Sequence, residues 1–159
     1  MSSRQSLLLA ICILVIAGAY FWWRGQAEQQ VERQVDLFIE TVEYRKLSLT
    51  SPESRHTTYN DLFAKVMELN LPSPAPSGKF SRDETIEEID RFHSYISYFE
   101  LAESDRKISI DGESATAKIT GIFQVASGPN GRYDKSGVMT LSFEKKSDWR
   151  ITAITLSTD

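Results

Sequence analysis

Few side chains in this sequence suit acid–base chemistry. There are two histidines, His56 and His93. An imidazole titrates near neutrality, so either could act as a general acid or base if a carboxylate oriented it. His93 follows Ile86 and Ile89 at helical spacing and so belongs to an apolar stripe, and Asp90, three residues earlier, is a candidate partner. The simpler reading of His93 is a partly buried ring bonded to a backbone carbonyl. His56 follows Arg55 in a polar stretch read as loop, and two histidines so placed do not have metal-binding spacing. Glu68 and Asn70 lie two apart on a predicted strand, so they share one face while Leu71 points to the other. Phe38, Tyr44, Tyr95, Tyr98 and Phe123 could reach a concavity, although rings at such spacing ordinarily belong to a core. Phe38, Tyr44, His93, Tyr95 and Phe123 are therefore the candidate ligand-binding residues. No catalytic residue, metal or cofactor is expected. Gly128, Asn130 and Gly131 read as turn residues, and the chain has neither a P-loop nor a dinucleotide fingerprint.

Composition narrows the partners. The 159 residues are 41% hydrophobic with only 8 Gly and 5 Pro, enough for one compact domain with a core. Of the 18 basic residues, Arg4 and Arg24 flank an apolar run, and all 22 acidic residues follow that run. The remainder is acidic and has no basic run beyond Lys145-Lys146, which argues against nucleic acid. The single cysteine, Cys12, lies in the apolar run and can form neither an intrachain disulfide nor a Cys-based zinc site.

That run, Leu7 to Trp23, carries no charge and as a helix would extend roughly 25 Å, the short end of a membrane span. Tyr20, Phe21, Trp22 and Trp23 close it with rings that favour the headgroup boundary, followed by Arg24. Ala17-Gly18-Ala19 has the small-x-small form of a cleavage site. It follows the apolar core without a polar spacer, however, and a cut there would leave Tyr20 as a new N-terminus, so a signal anchor fits better. The expectation is residues 1–25 as a single-pass anchor in the cytoplasmic (inner) membrane with the N-terminus inside. Residues 26–159 then form a domain on the periplasmic or extracellular side.

Within that domain, Val31, Val35, Phe38 and Val42 step by four, three and four, which predicts a helix over Gln26 to Leu49. A break is read at Ser51-Pro52, a short helix at Tyr59 to Val66, and a strand at Met67 to Leu71. Pro72 to Gly78 is loop. Ser81-Arg82-Asp83-Glu84 is a capping box that opens a third helix through Ile86, Ile89, His93 and Ile96. The period then drops to two. Asp111-Gly112 signals a hairpin between KISI and the strand that follows, Ser127 to Arg132 a longer turn, and strands are read at Val138 to Glu144 and Trp149 to Leu156. Three helices must cover one face of an antiparallel meander, which is an α+β domain. Trp149 and Ile151 should face that core together with Phe38.

This order, with the Ile110-Asp111-Gly112-x-x-Ala115-x-Ala117 turn and the closing Trp149-Arg150-Ile151 strand, resembles the nuclear transport factor 2-like superfamily over about Val31 to Leu156. The resemblance implies a curved sheet wrapped around the long helix, a cone with an apolar pocket. Such members include ketosteroid isomerases, polyketide cyclases, accessory domains and membrane-tethered assembly subunits of type IV secretion systems. Laid on the isomerase-like pattern, FAKVMELNLP places Leu71 before Pro72, where the general-base aspartate would stand, and leucine accepts no proton. The leading expectation is a non-catalytic binding or assembly domain. Its partners would be the membrane through Leu7 to Trp23 and a protein in a membrane complex, a second copy of the chain, or a small apolar ligand. An isomerase- or cyclase-like enzyme and a structural accessory subunit are the alternatives.

Overall fold

The computed structural model describes residues 3–46, 51–128 and 131–158, with side chains from residue 11 onward. The chain runs through α1 (Ser3–Val42), β1 (Tyr44–Arg45), α2 (Pro52–Leu62), β2 (Phe63–Asn70), β3 (Gly78–Ser81), α3 (Arg82–Tyr95), β4 (Tyr98–Asp111), β5 (Ser114–Ala126), β6 (Arg132–Lys145) and β7 (Trp149–Thr158). The strands form one seven-stranded sheet in the order β1-β4-β5-β6-β7-β2-β3. All neighbours are antiparallel except β2 and β7, which run parallel.

Alternation on β5 decides which face is inside. Ala115, Ala117, Ile119 and Phe123 are buried, whereas Ser114, Thr116 and Lys118 are exposed. Small inner residues of β5 stand opposite large ones of β6, Ala115 across from Phe143 and Ala117 across from Leu141, so large and small side chains alternate in the layer. Over this face lie Ala27, Val31, Val35 and Phe38 of α1, with Tyr59 and Leu62 of α2 and Ile86 of α3. Trp149 and Ile151 belong to the same cluster as Phe38. Arg106 of β4 ties the sheet to α1 through Asp36 at 2.6 Å, and it also holds Glu103.

The sheet curls because its strands are interrupted. A bulge between Glu103 and Asp105 lies on β4 opposite Gly121, another lies between Ser142 and Phe143, and Gly121 pairs directly with Gly137.

Several elements differ from the sequence reading, each for a local reason. The first helix ends at Val42 rather than Leu49. Tyr44 and Arg45 instead pair with Phe99 and Tyr98, and residues 47–50 lie outside the described residues. The second helix is Pro52–Leu62, not Tyr59 to Val66. What was read as a break, Ser51-Pro52, is its start: Ser51 Oγ caps the Ser54 N–H at 3.2 Å, and Pro52 occupies the first turn, where its missing N–H costs nothing. His56 is therefore helical, not in a loop. Leu62, Phe63 and Val66 mimic a helical stripe, but the backbone from Phe63 is extended and pairs with β7 and β3. On β4 the bulge breaks the alternation that would have shown the strand from Tyr98. The first five residues of β6 are exposed on both faces and carry no apolar period.

The third helix has its capping box in place, with the Ser81 N–H donating to Glu84 at 2.7 Å. At the hairpin, Asp111 pairs with Ser114, so the loop is Gly112-Glu113, one residue later than read. Gly112, at φ +59°, takes the first loop position, where a II′ turn requires positive φ. Residues 129–130 of the longer turn lie outside the described residues.

Among the described residues no helix is long and apolar enough to cross a membrane. Residues 7–10 of the apolar run lie outside those with described side chains. From Ile11 to Trp23 α1 nevertheless exposes nearly every large apolar side chain, and the buried stripe begins only at Ala27.

Candidate functional site

The C-terminus of α1 organises the polar chemistry. A helix end leaves its last carbonyls without partners. Here the Tyr59 hydroxyl donates to the Thr41 carbonyl at 3.1 Å, and His93 Nε2 bonds the Val42 carbonyl at 3.0 Å. A carbonyl only accepts, so the His93 proton sits on Nε2. Its Nδ1 is buried with no partner among the described residues. The His93 ring stacks on Tyr44, with centroids 4.5 Å apart.

Tyr44 also carries the Arg55 guanidinium, 5.4 Å from its ring centroid. Arg55, Tyr59 and Leu62 follow at steps of four and three and form the buried face of α2. Burial pushes the His93 pKa below its ordinary value, and the Arg55 charge adds to this, against the Val42 bond and Asp90, which raise it. His93 is thus held neutral.

Below pH 6.5, the ordinary histidine value, the unfolded chain takes up a proton that folded His93 refuses, so stability present above that pH drains as pH falls. Thermal unfolding followed from about pH 7.5 to about pH 5 should show a falling midpoint. The slope should be shallower in His93→Phe, which keeps the ring but cannot titrate. Equal slopes would mean that His93 is not the group responsible.

The simpler sequence reading of His93, a ring bonded to a backbone carbonyl, holds, and Asp90, the candidate partner at helical spacing, does not serve it. Asp90 is bonded instead to His56 Nε2 at 2.5 Å, joining α2 to α3. The two side chains are 42% and 35% exposed and do not line the groove at the end of α1. Spacing within one helix suggested the wrong partner because the true one arrives from the neighbouring helix.

The cavity itself is a half-open groove of about 320 Å³ where α1, β1, α2 and the start of β4 meet. Glu40, Glu43, Arg55 and Glu100 bring charge to it, and Leu37 and Phe99 supply apolar wall. Glu100 is engaged by Arg45 at 3.3 Å and by the Tyr98 hydroxyl. Glu43 accepts the Leu101 N–H at 3.3 Å, and burial raises its pKa, with Glu100 and Glu40 pushing the same way.

Of the expected pocket residues, only Tyr44 lines this groove. Phe38 and Phe123 are packed in the core, and His93 lies behind Tyr44. Tyr95 is 73% exposed, a correction to its place in the concavity: two positions past buried His93 turns a helical residue to the opposite side. Leu71 packs against the core, while Glu68 and Asn70 bond each other in solvent at 3.3 Å. Reasoning from sequence missed Arg55, Glu40, Glu43 and Glu100. The step from Arg55 to Tyr59 to Leu62 would have exposed Arg55 once the helix start was placed at Ser51.

No family model matches the chain, and no curated protein does. Solved structures do. A nuclear transport factor 2 (NTF2-like) superfamily protein from Salmonella enterica serovar Typhimurium is 14% identical, with 85% of this chain and 92% of that one covered and a TM-score of 0.67. The Kfla4162 protein from Kribbella flavida is 9% identical, with coverages of 86% and 93% and a TM-score of 0.70. A hexachlorocyclohexane dehydrochlorinase, LinA-type3, from Novosphingobium barchaimii is 7% identical, with coverages of 86% and 88% and a TM-score of 0.68. The domain therefore has the α+β nuclear transport factor 2-like fold, a curled, mostly antiparallel sheet closed over helices.

Proposed function

We propose that this chain is a membrane-tethered binding domain, its anchor the N-terminal part of α1 and its domain outside the cytoplasmic membrane. One observation carries the tether: Ile11, Ile13 to Ile16 and Tyr20 to Trp23 are exposed on the helix whose later turns fill the cone. Soluble monomers rarely leave so long an apolar surface uncovered, and an aromatic belt before Arg24 suits an interface. Binding rather than turnover is supported by a cone interior packed with side chains and by Leu71 at the position where the isomerase-like pattern has its base. The full chain should stay with membranes through a carbonate wash, and a chain lacking residues 1–23 should not. Full-length chain with an intact N-terminus in the soluble fraction would overturn the tether.

A second reading, an enzyme, is favoured by one observation, the His56–Asp90 pair, a base with its orienting carboxylate. Solved structures of this fold also include a dehydrochlorinase. Turnover abolished by His56→Ala in a folded protein would establish it in place of the binding reading.

A further inference from the structure

We propose that the groove at the end of α1 binds a small zwitterion of the α-amino acid class, its carboxylate on Arg55 and its ammonium between Glu40 and Glu43. This inference rests on the binding reading above and names the ligand of that domain.

Arg55 is the first observation. It is only 9% exposed, lines the groove, and has no side-chain hydrogen bond or ion pair among the described residues; its Nε is fully buried without a partner. Its neighbour is the Tyr44 ring, 5.4 Å away, whose face attracts a cation without neutralising it. A buried guanidinium without a counterion is costly, and a carboxylate matches its planar fork better than any other common anion.

The carboxylates are independent of it. Glu100 is paired through Oε2 with Arg45 and Tyr98, and one oxygen of Glu43 accepts the Leu101 N–H. The second Glu43 oxygen and the Glu40 carboxylate have no partner among the described residues, and both residues line the same groove. Two like charges so placed repel, and the repulsion is relieved by a cation between them. One cavity thus offers an unmatched positive site and an unmatched negative site. A simple anion would meet Glu40 and Glu43, and a simple cation would meet Arg55, so each is penalised by the far end of the groove. A molecule with both charges a few ångströms apart is not.

The volume, about 320 Å³, stands at the small end of ligand pockets, ~300–1,000 Å³. Leu37 and Phe99 provide an apolar wall for a hydrocarbon side chain.

The test uses the full chain in mild detergent and calorimetric titration with three probes: leucine, 4-methylpentanoate, which lacks the ammonium, and 3-methylbutylamine, which lacks the carboxylate. Leucine should bind saturably; 3-methylbutylamine, which leaves the buried Arg55 unpaired, should bind ~30-fold or more weaker, and 4-methylpentanoate, which forfeits a pairing with exposed Glu40, ~5-fold weaker. Arg55→Met should abolish preference for the carboxylate. Because Arg55 is buried, Glu40→Gln, on an exposed residue, provides the second variant and should weaken leucine while leaving 4-methylpentanoate unchanged or tighter. Leucine binding no better than either analogue, or unaffected by Glu40→Gln, overturns the proposal, as does the absence of saturable binding. None of these outcomes touches the carbonate-wash result on which the tether depends.

Discussion

Trp149→Ala is expected to lower the stability of the domain by ~3–5 kcal/mol, a large share of what a domain of this size holds. Trp149 opens β7 fully buried, in one cluster with Ile151, Phe38 and Phe63, and truncation would leave a cavity that the curled sheet cannot collapse to fill. Its Nε1 is buried and unbonded, so the indole N–H contributes nothing that Phe would forfeit. Trp149→Phe should therefore cost far less than Trp149→Ala, despite the smaller ring. Urea unfolding followed by circular dichroism separates the two. An alanine variant that unfolds with the parent would place Trp149 outside the core.

The core was legible in the sequence because it is periodic. Val31, Val35 and Phe38 at helical steps and Ala115, Ala117, Ile119 and Phe123 in alternation identify a long helix against a sheet, and the structure buries these residues. Ser81 and Glu84 announced α3 because a capping box is a local device with both partners in one turn. What was missed depends on partners distant in sequence. The parallel pairing of β2 with β7 joins residues 85 to 88 apart, and only Met67 to Leu71 showed the alternation of a strand, while Phe63 to Val66 read as the end of a helix. The groove was invisible for the same reason: Glu40, Arg55 and Glu100 come from three elements, and each alone reads as an ordinary surface charge.

The same long helix also explains why the polar groove lies at an end of the fold. Since α1 packs the cone with Val31, Val35 and Phe38, the groove of about 320 Å³ lies where the helix stops and its carbonyls need donors. Tyr59 and His93 supply those donors, and with Tyr44 and Arg55 they hold the rim of the groove in place. His93 and Tyr59 are thereby committed to capping a helix.

Gly121→Ala is the second substitution with a large expected effect. A Cβ at Gly121 would stand 2.5 Å from the Ala102 carbonyl oxygen and 3.0 Å from a Leu101 methyl, so backbone must shift to admit it. The site is where the β4 bulge meets the Gly121–Gly137 pair, and a Cβ at Gly137 would likewise fall 2.6 Å from the Ser157 carbonyl oxygen. Both glycines have ordinary negative φ, so the requirement is for space at the bend, not for left-handed backbone. Overpacking of this kind costs ~1–3 kcal/mol, and here the obstruction is backbone, which relaxes less than a side chain. Gly25→Ala makes the same chemical change on α1 with nothing within 4 Å, and should be neutral or stabilising by up to ~1 kcal/mol, because Ala favours helix over Gly. A destabilised Gly121→Ala beside a Gly25→Ala no less stable than the parent, in the same denaturation assay, is the expected result. Equal effects would mean that the sheet does not bend through Gly121, and the curled geometry that closes the cone around α1 would have to arise elsewhere.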